Sequence, residues 1–427
     1  MFLTYNILLT IFSPFWLAWM FFRTSKREQK PIWKERTGDY DIQPRKDRKR
    51  IWFHAVSVGE VVAVLPLIRE VRLLLPDFEF ILSVTTSSGH STALEQSVGI
   101  VDRLFYFPID VPRFQLAAMQ HVQPAVVAIM ETELWWNFLW AAKTFRAKTL
   151  LVNGRISDRS YPRNLKLAFY YRNVLRDLDQ CLMQSPLDAE RIESIGGQNV
   201  RVFGNVKFDQ AIDDIAADPE EWKDKLKIPD GRPIIVIGST RGQEEEDLVI
   251  SAIKELGEDS VCVVHAPRHL ERVPDLAKAV RAQFGSVALR SKGEGGPYIV
   301  LDTYGELSRV YSVADIVVIG GGFESLGGQS IFQPLAHGKP VIHGPHMHNF
   351  RDVAAAAHAA GATRVVTTAS ELSKALDELI RNPAQAEEMG AAAKKFISEN
   401  LGASRRYAEA IIDAASEALA EPSRRKK

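Results

Sequence analysis

The chain has 427 residues, with 53 Lys+Arg balancing 53 Asp+Glu, so it is long enough for two domains with a core each and lacks the net charge of a wholesale nucleic-acid binder. Its two cysteines, Cys181 and Cys262, sit in apolar strand-like runs with no CxxC and no histidine at metal-ligand spacing. That excludes a disulfide scaffold and a structural zinc, and it indicates buried thiols in a reducing compartment.

The amino terminus, MFLTYNILLTIFSPFWLAWMFF, has no charged side chain in its first 22 residues. At about 1.5 Å per residue a helix of this length would span roughly 30 Å of hydrocarbon. It lacks the basic start and small-residue cleavage site of a secretory signal, so residues 1–22 are expected to be an uncleaved membrane-anchor helix. Between Arg23 and Arg50 there are eleven Lys+Arg against five Asp+Glu. Such a flank stays on the cytoplasmic side, next to anionic lipid. Pro14 and Asn6 leave open a second form, a helix lying in the interface without crossing it.

From residue 51 the pattern changes to strand-like runs alternating with helical periods: IWFHAV, FILSVTT, VVAIM, TLLVN and CLMQS, closing near RVFGNVKFD. That alternation predicts βαβ units on a parallel sheet over residues 51–210. A polar, acidic passage over 211–232 reads as a linker. The style then repeats over 233–427 in PIIVIGST, SVCVVHAP, YIVLDT, DIVVIGGG and KPVIHG, followed by Ala-rich helices from about Ala369 and a basic end, SRRKK. The fold class is therefore α/β, with two doubly wound Rossmann-like domains facing a cleft.

The residues with chemical potential collect where strands are expected to end, the edge at which open parallel sheets bind ligands. Ser57 and Glu60 stand in the S-x-x-E relation of a capping box, and a Glu60 that ends a strand-to-helix turn at this edge could also act as a general base. Glu131 and Glu133 follow VVAIM, and Lys207 follows RVFGNV. The acidic run Glu244-Glu245-Glu246-Asp247 reads as a solvated first helical turn. Arg268 in HAPRH could pair with a phosphate through its planar fork. DIVVIGGGFESLGGQSIFQPLAHGKP places five glycines between a buried strand and a helix beginning near Ser330. This is a phosphate cradle that matches neither the Walker nor the dinucleotide spacing. Asp177 and Asp179 have a metal-binding spacing but precede a strand, at the amino edge of the sheet, so no catalytic metal is expected. Trp135, Trp136 and Phe138 suit either an acceptor groove or the core.

HAVSVGEV, PIDVP, METELWWN, LVNGRISDRSY, GNVKFD, GSTRGQEEE, HAPRH, the glycine-rich stretch and GKPVIHGPHMHNFRD occur in the order and spacing of a known family. The chain resembles the bacterial 3-deoxy-D-manno-octulosonic acid (Kdo) transferases of lipopolysaccharide assembly over nearly its whole length. The resemblance implies a GT-B fold and an inverting, metal-independent transfer of Kdo from CMP-Kdo, the donor substrate and the only small molecule expected besides the acceptor. The acceptor would be a lipid A precursor at the cytoplasmic side of the inner membrane, with membrane lipids as partners through the anchor and no nucleic acid. Glu60 falls on the family's general base; Glu131 and Lys207 fall on residues that stabilise the transition state. Pro267, Arg268, Tyr304, Gly305, Glu306, Ser330, Ile331, Phe332 and Gln333 fall on the CMP-binding positions. Two departures stand out. Gln333 replaces a glutamate expected to hold the ribose hydroxyls, and METELWW lacks the proline that usually follows the tryptophan. Gln333 keeps open a membrane-associated transferase using another nucleotide sugar. An inactive lipid A-binding homologue is a third reading, which the joint presence of Glu60, Lys207 and Arg268 disfavours.

Overall fold

The computed structural model describes residues 1–12, 32–43, 45, 47, 49–213, 217–257 and 260–420. Residues 13–22 of the expected anchor, the start of its basic flank, part of the linker and the basic end lie outside these residues. The chain forms two compact units, Met1–Asp209 with Gly402–Lys427, and Gln210–Leu401.

In the first unit seven parallel strands lie in the order β3-β2-β1-β4-β5-β6-β7. They are β1 Arg50–Ala55, β2 Glu79–Val84, β3 Arg103–Tyr106, β4 Val126–Met130, β5 Lys148–Gly154, β6 Gln180–Met183 and β7 Val200–Val202. The order reverses between β1 and β4, which makes a switch point where their carboxyl ends diverge. Helices cover both faces, so central strands such as β4, VVAIM, are buried at every position.

The second unit repeats the scheme with β8 Ile234–Thr240, β9 Cys262–Pro267, β10 Ala288–Leu289, β11 Tyr298–Val300, β12 Ile316–Ile319, β13 Val341–His343 and β14 Thr363–Val365. These are again all parallel, in the order β10-β11-β9-β8-β12-β13-β14. Both cysteines are free and buried, and burial pushes their thiols up to about 12 for Cys181 and about 11 for Cys262.

Two expectations are revised. The last helix, Ala403–Ala420, does not belong with residues 233–401: Tyr407, Ala408, Ile411, Ala415 and Ala418 enter the core of the first unit beside Val61, Val64 and Ile68. Their spacing of three and four forms one helical stripe. Asp209 caps this helix by accepting from the Gly402 and Ser404 N–H groups, each at 2.6 Å.

The second revision concerns the membrane segment. Among the described residues no helix is long and apolar enough to cross a membrane. Residues 2–12 are helical, but Phe2 and Tyr5 pack on the first unit, with ring centroids 5.4 and 5.5 Å from Trp136. The Tyr5 hydroxyl donates to Asp110 at 2.7 Å, and Asn137 donates to Asn6 at 2.8 Å. Residues 13–22 of the expected anchor lie outside the described part.

Candidate active site

Three loops at the carboxyl edge of the first sheet bring the candidate residues of this unit together. The first follows β1. Ser57, in extended backbone, caps helix Val58–Leu74 by accepting from the Glu60 N–H, so Glu60 stands in the first helical turn. Its Oε2 accepts from the Val56 N–H and its Oε1 from the Ser57 hydroxyl, both at 2.9 Å. A carboxylate oxygen offers two acceptor positions, so each keeps one for a substrate hydroxyl. Burial pushes the Glu60 carboxyl up to about 7, the charge of Glu131 adds to the rise, and the Val56 and Ser57 bonds oppose it. A helix cap is thus also a carboxylate poised to exchange a proton near neutrality.

The second loop follows β4. Glu131 sits at φ 55°, left-handed backbone that a non-glycine residue adopts at a cost of order 1 kcal/mol. Its N–H still donates to Val152 at 3.0 Å, so the strand pairing is continued through the strained residue. Glu133 lies close by; burial raises its carboxyl and the Glu131 charge adds, against a bond from the Trp135 indole N–H at 2.9 Å.

The third loop follows β7. Lys207 begins helix Lys207–Asp213, and its Nζ lies 3.3 Å from Glu131 Oε1. An amide network that the sequence reading missed fixes this turn. Asn153 Oδ1 accepts from the Val206 N–H, Asn205 Oδ1 accepts from the Lys207 N–H, and Gln184 bridges Asn205 and the Asn153 carbonyl. The available signal was Asn-Gly and Gly-Asn at two strand ends, where asparagine tolerates left-handed backbone; Asn153 has φ 52°.

Other first-unit candidates are structural. Phe138 is fully buried and Trp136 nearly so, placing both in the core, with Trp135 partly covered. Asp179 is consumed at the amino edge by Lys143 at 2.6 Å and the Thr149 N–H at 2.8 Å. Among the described residues no group of three or more His, Cys, Asp or Glu is placed to hold a metal ion.

In the second unit Pro267 ends β9, and Arg268 follows it exposed, with no side-chain partner among the described residues. Tyr304 is 72% exposed, Gly305 takes φ 79°, and Glu306 holds Arg290 at 3.1 Å and accepts from the Thr303 hydroxyl. Ile331 and Phe332 are buried, while the Ser330 hydroxyl donates to Gln333 Oε1 at 2.8 Å at the start of helix Phe332–Ala336. The close approach of the glycine loop to β8 is steric: a Cβ on Gly320 would lie 2.6 Å from the Thr240 Cα.

The acidic run is solvated only at Glu244 and Asp247, which are exposed. Glu245 and Glu246 are buried: Glu245 accepts from the Arg241 and Phe323 N–H groups, and Glu246 pairs with Arg272 at 2.6 Å. The first turn of helix Gln243–Leu256 therefore fastens the glycine loop, helped by Glu324 accepting from the Glu245 N–H at 3.0 Å. His265 serves β8 and β11, sharing hydrogen bonds with Thr240 at 2.9 Å and Tyr298 at 2.8 Å, and burial holds its imidazole down at about 3. A cavity of about 500 Å³ lies at the amino ends of β8, β12 and β13, away from all these groups.

The family model described as 3-Deoxy-D-manno-octulosonic-acid transferase (kdotransferase) matches residues 32–210. The 3-deoxy-D-manno-octulosonic acid transferase of Bordetella pertussis is 33% identical over 379 residues, covering 85% of this chain and 87% of that protein. The chain belongs to the Kdo transferase family. A bifunctional glycosyltransferase/methyltransferase of Fusobacterium nucleatum is 30% identical over 364 residues, 82% of this chain, and the chain spans 54% of that longer protein. Among solved structures a glycosyltransferase from Rickettsia africae matches with a TM-score of 0.60 at 14% identity, over 90% of this chain and all of that one. At that identity the likeness concerns the fold, two parallel-sheet α/β units of the GT-B type. The Kdo transferase family is a family of glycosyltransferases.

Proposed function

We propose that the protein transfers Kdo from CMP-Kdo to a sugar hydroxyl of a lipid A precursor, with inversion and without a metal. The observation that carries the reading is Glu60, a carboxyl raised to about 7 and held at both oxygens within reach of the charge of Glu131. In the reaction the acceptor oxygen forms a bond to the anomeric carbon as its proton passes to Glu60, and the bond from that carbon to the CMP phosphate breaks. One base and one departing phosphate suffice for inversion. Lys207, neutralised in part by Glu131, faces the negative charge of the donor's carboxylate and the leaving phosphate. Arg268 and the glycine loop hold the nucleotide part, with Tyr304, Gly305, Glu306 and Ser330 to Gln333 around it.

Helix 2–12 leaves Leu3, Ile7, Leu8, Ile11 and Phe12 exposed, which supports attachment of this end to the cytoplasmic face of the inner membrane. The test is to incubate detergent-solubilised protein with CMP-Kdo and a tetraacylated lipid A precursor in EDTA and weigh the lipid. A gain of whole Kdo masses is the expected result. A folded protein that gives no such gain, yet transfers from another nucleotide sugar in a donor panel, would replace the reading with one in which Gln333 has changed the donor.

A further inference from the structure

Beside the carboxylate cluster lies a cavity of about 130 Å³, bounded by Glu131, Arg155, Ser160, Arg163, Asn164 and Tyr171 among others. It has room for roughly four waters at about 30 Å³ each, or for one small charged group. Its polar wall is unusual in what it leaves unused. Arg155 and Arg163 have no side-chain partner among the described residues. Asn164 is 8% exposed, and its Oδ1 is buried without a hydrogen bond. Buried polar atoms are rarely left unpaired, because such an atom has given up its bonds to water without replacement.

The frame of the cavity, by contrast, is braced by hydrogen bonds, with the Arg191 Nε left without one among the described residues. Asp188 accepts from the Ile156 N–H at 2.7 Å and from the Ser185 hydroxyl at 2.6 Å, and Arg191 donates to the Ile156 carbonyl at 2.6 Å and pairs with Asp158. The lining is apolar in part, and its Ser160 hydroxyl is already bonded to Ser157. It also presents two guanidinia without side-chain partners among the described residues, the exposed Arg163 and the half-buried Arg155, and a buried amide oxygen without a hydrogen bond, a set that suits a phosphate beside a sugar hydroxyl. The guanidinia match a phosphate, and the amide accepts from a ring hydroxyl. Glu131 does not cancel this charge, because Lys207 at 3.3 Å already faces it.

We propose that this cavity is an anion subsite for the acceptor, holding a phosphate borne on the acceptor sugar close to the hydroxyl that reacts. The inference rests on the glycosyl transfer proposed above. It favours the acceptor because the cavity belongs to the same unit as Glu60, and the base acts on the acceptor's hydroxyl. The donor's carboxylate is the other possible source of negative charge.

The test compares the lipid A precursor with the same lipid after phosphatase treatment, using wild type, Arg155→Ala and Arg163→Ala. Neither arginine has a side-chain bond to lose, so both variants should fold. The expected result is an acceptor KM raised about tenfold or more in each variant for the phosphorylated lipid only, with the KM for CMP-Kdo unchanged. An equal rise for both lipids, or a rise in the KM for CMP-Kdo, overturns the assignment. Binding is read separately by tryptophan fluorescence on Glu60→Gln and on Glu60→Gln carrying Arg155→Ala. If wild type transfers nothing but Glu60→Gln binds the phosphorylated lipid in an Arg155-dependent manner, the transfer reading fails while the subsite stands. Equal binding of the two lipids overturns the subsite even where transfer is observed.

Discussion

Lys207 Nζ lies 3.3 Å from Glu131 Oε1, although the two residues are 76 positions apart in sequence and follow different strands, β7 and β4. Glu131 bears on Glu60, because its charge is, after burial, the larger cause of the rise there, with Glu133 adding less. Removing the ammonium in Lys207→Ala leaves Glu131 uncompensated and should carry Glu60 higher still. The acid limb of kcat/KM then moves to higher pH, and the plateau rate falls on the order of 100-fold. Glu131→Gln should move the limb the opposite way while also slowing the plateau. Limbs that stay fixed, or move together, would show that the pair does not tune Glu60.

A base that titrates at about 7 makes a second prediction. kcat/KM should fall roughly tenfold per pH unit below 7 and level off above it, whereas Glu60→Gln should be flat in this range and slower by about 10²- to 10⁴-fold. Stability carries the same signature. The folded value lies above that of an unfolded glutamate, so the group's contribution is complete below about 4.5 and is lost as pH rises through about 7. The Tm of Glu60→Gln relative to wild type should therefore improve between pH 5 and pH 8. A difference that is constant across that range would place Glu60 at an ordinary value.

Why the sequence shows some of this and not the rest follows from burial. The five strands read from each half are the inner strands, whose faces are covered by helices and which therefore appear as Val/Ile runs. The four that were missed, β3, β7, β10 and β14, are the four sheet edges. RLFY, VRV and TRV each carry an arginine, as partly solvated edges do. Glu60, Glu131 and Lys207 were visible as polar residues closing apolar runs. Asn153 and Asn205 showed only as turn residues beside glycine and Gln184 not at all, since their work is to hydrogen-bond one another and the backbone across loops far apart in sequence. The burial of Glu245 and Glu246 was hidden for the same reason: their partners Phe323 and Arg272 lie on other elements.

The helix of residues 2–12 makes a third prediction. Tyr5 donates to Asp110, which also accepts from the Phe138 N–H at 3.1 Å, so one carboxylate holds both this helix and the start of helix Trp136–Thr144. Burial pushes Asp110 up to about 6, with these bonds opposing the rise. Tyr5→Phe removes the helix's own bond and should weaken docking by about 1–2 kcal/mol. Amide exchange should then quicken about tenfold or more over residues 2–12 and stay unchanged in β1 and β4. Exchange that quickens throughout the first unit would mean that the helix is part of its global fold rather than a separately docked element.

The donor site offers the last prediction. Gln333 accepts from the Ser330 hydroxyl at 2.8 Å at the head of a short helix whose neighbouring residues, Ile331 and Phe332, are buried. Gln333→Glu keeps the shape and adds a charge in the first turn of the helix. The Ser330 bond becomes charge-assisted, and the second carboxylate oxygen is free for two ribose hydroxyls in place of the amide NH₂. If the nucleotide's ribose lies here, the KM for CMP-Kdo should fall about three- to tenfold with kcat little changed. A KM that rises would mean that the amide donates to its ligand, and with it that this chain reads a different group on the donor.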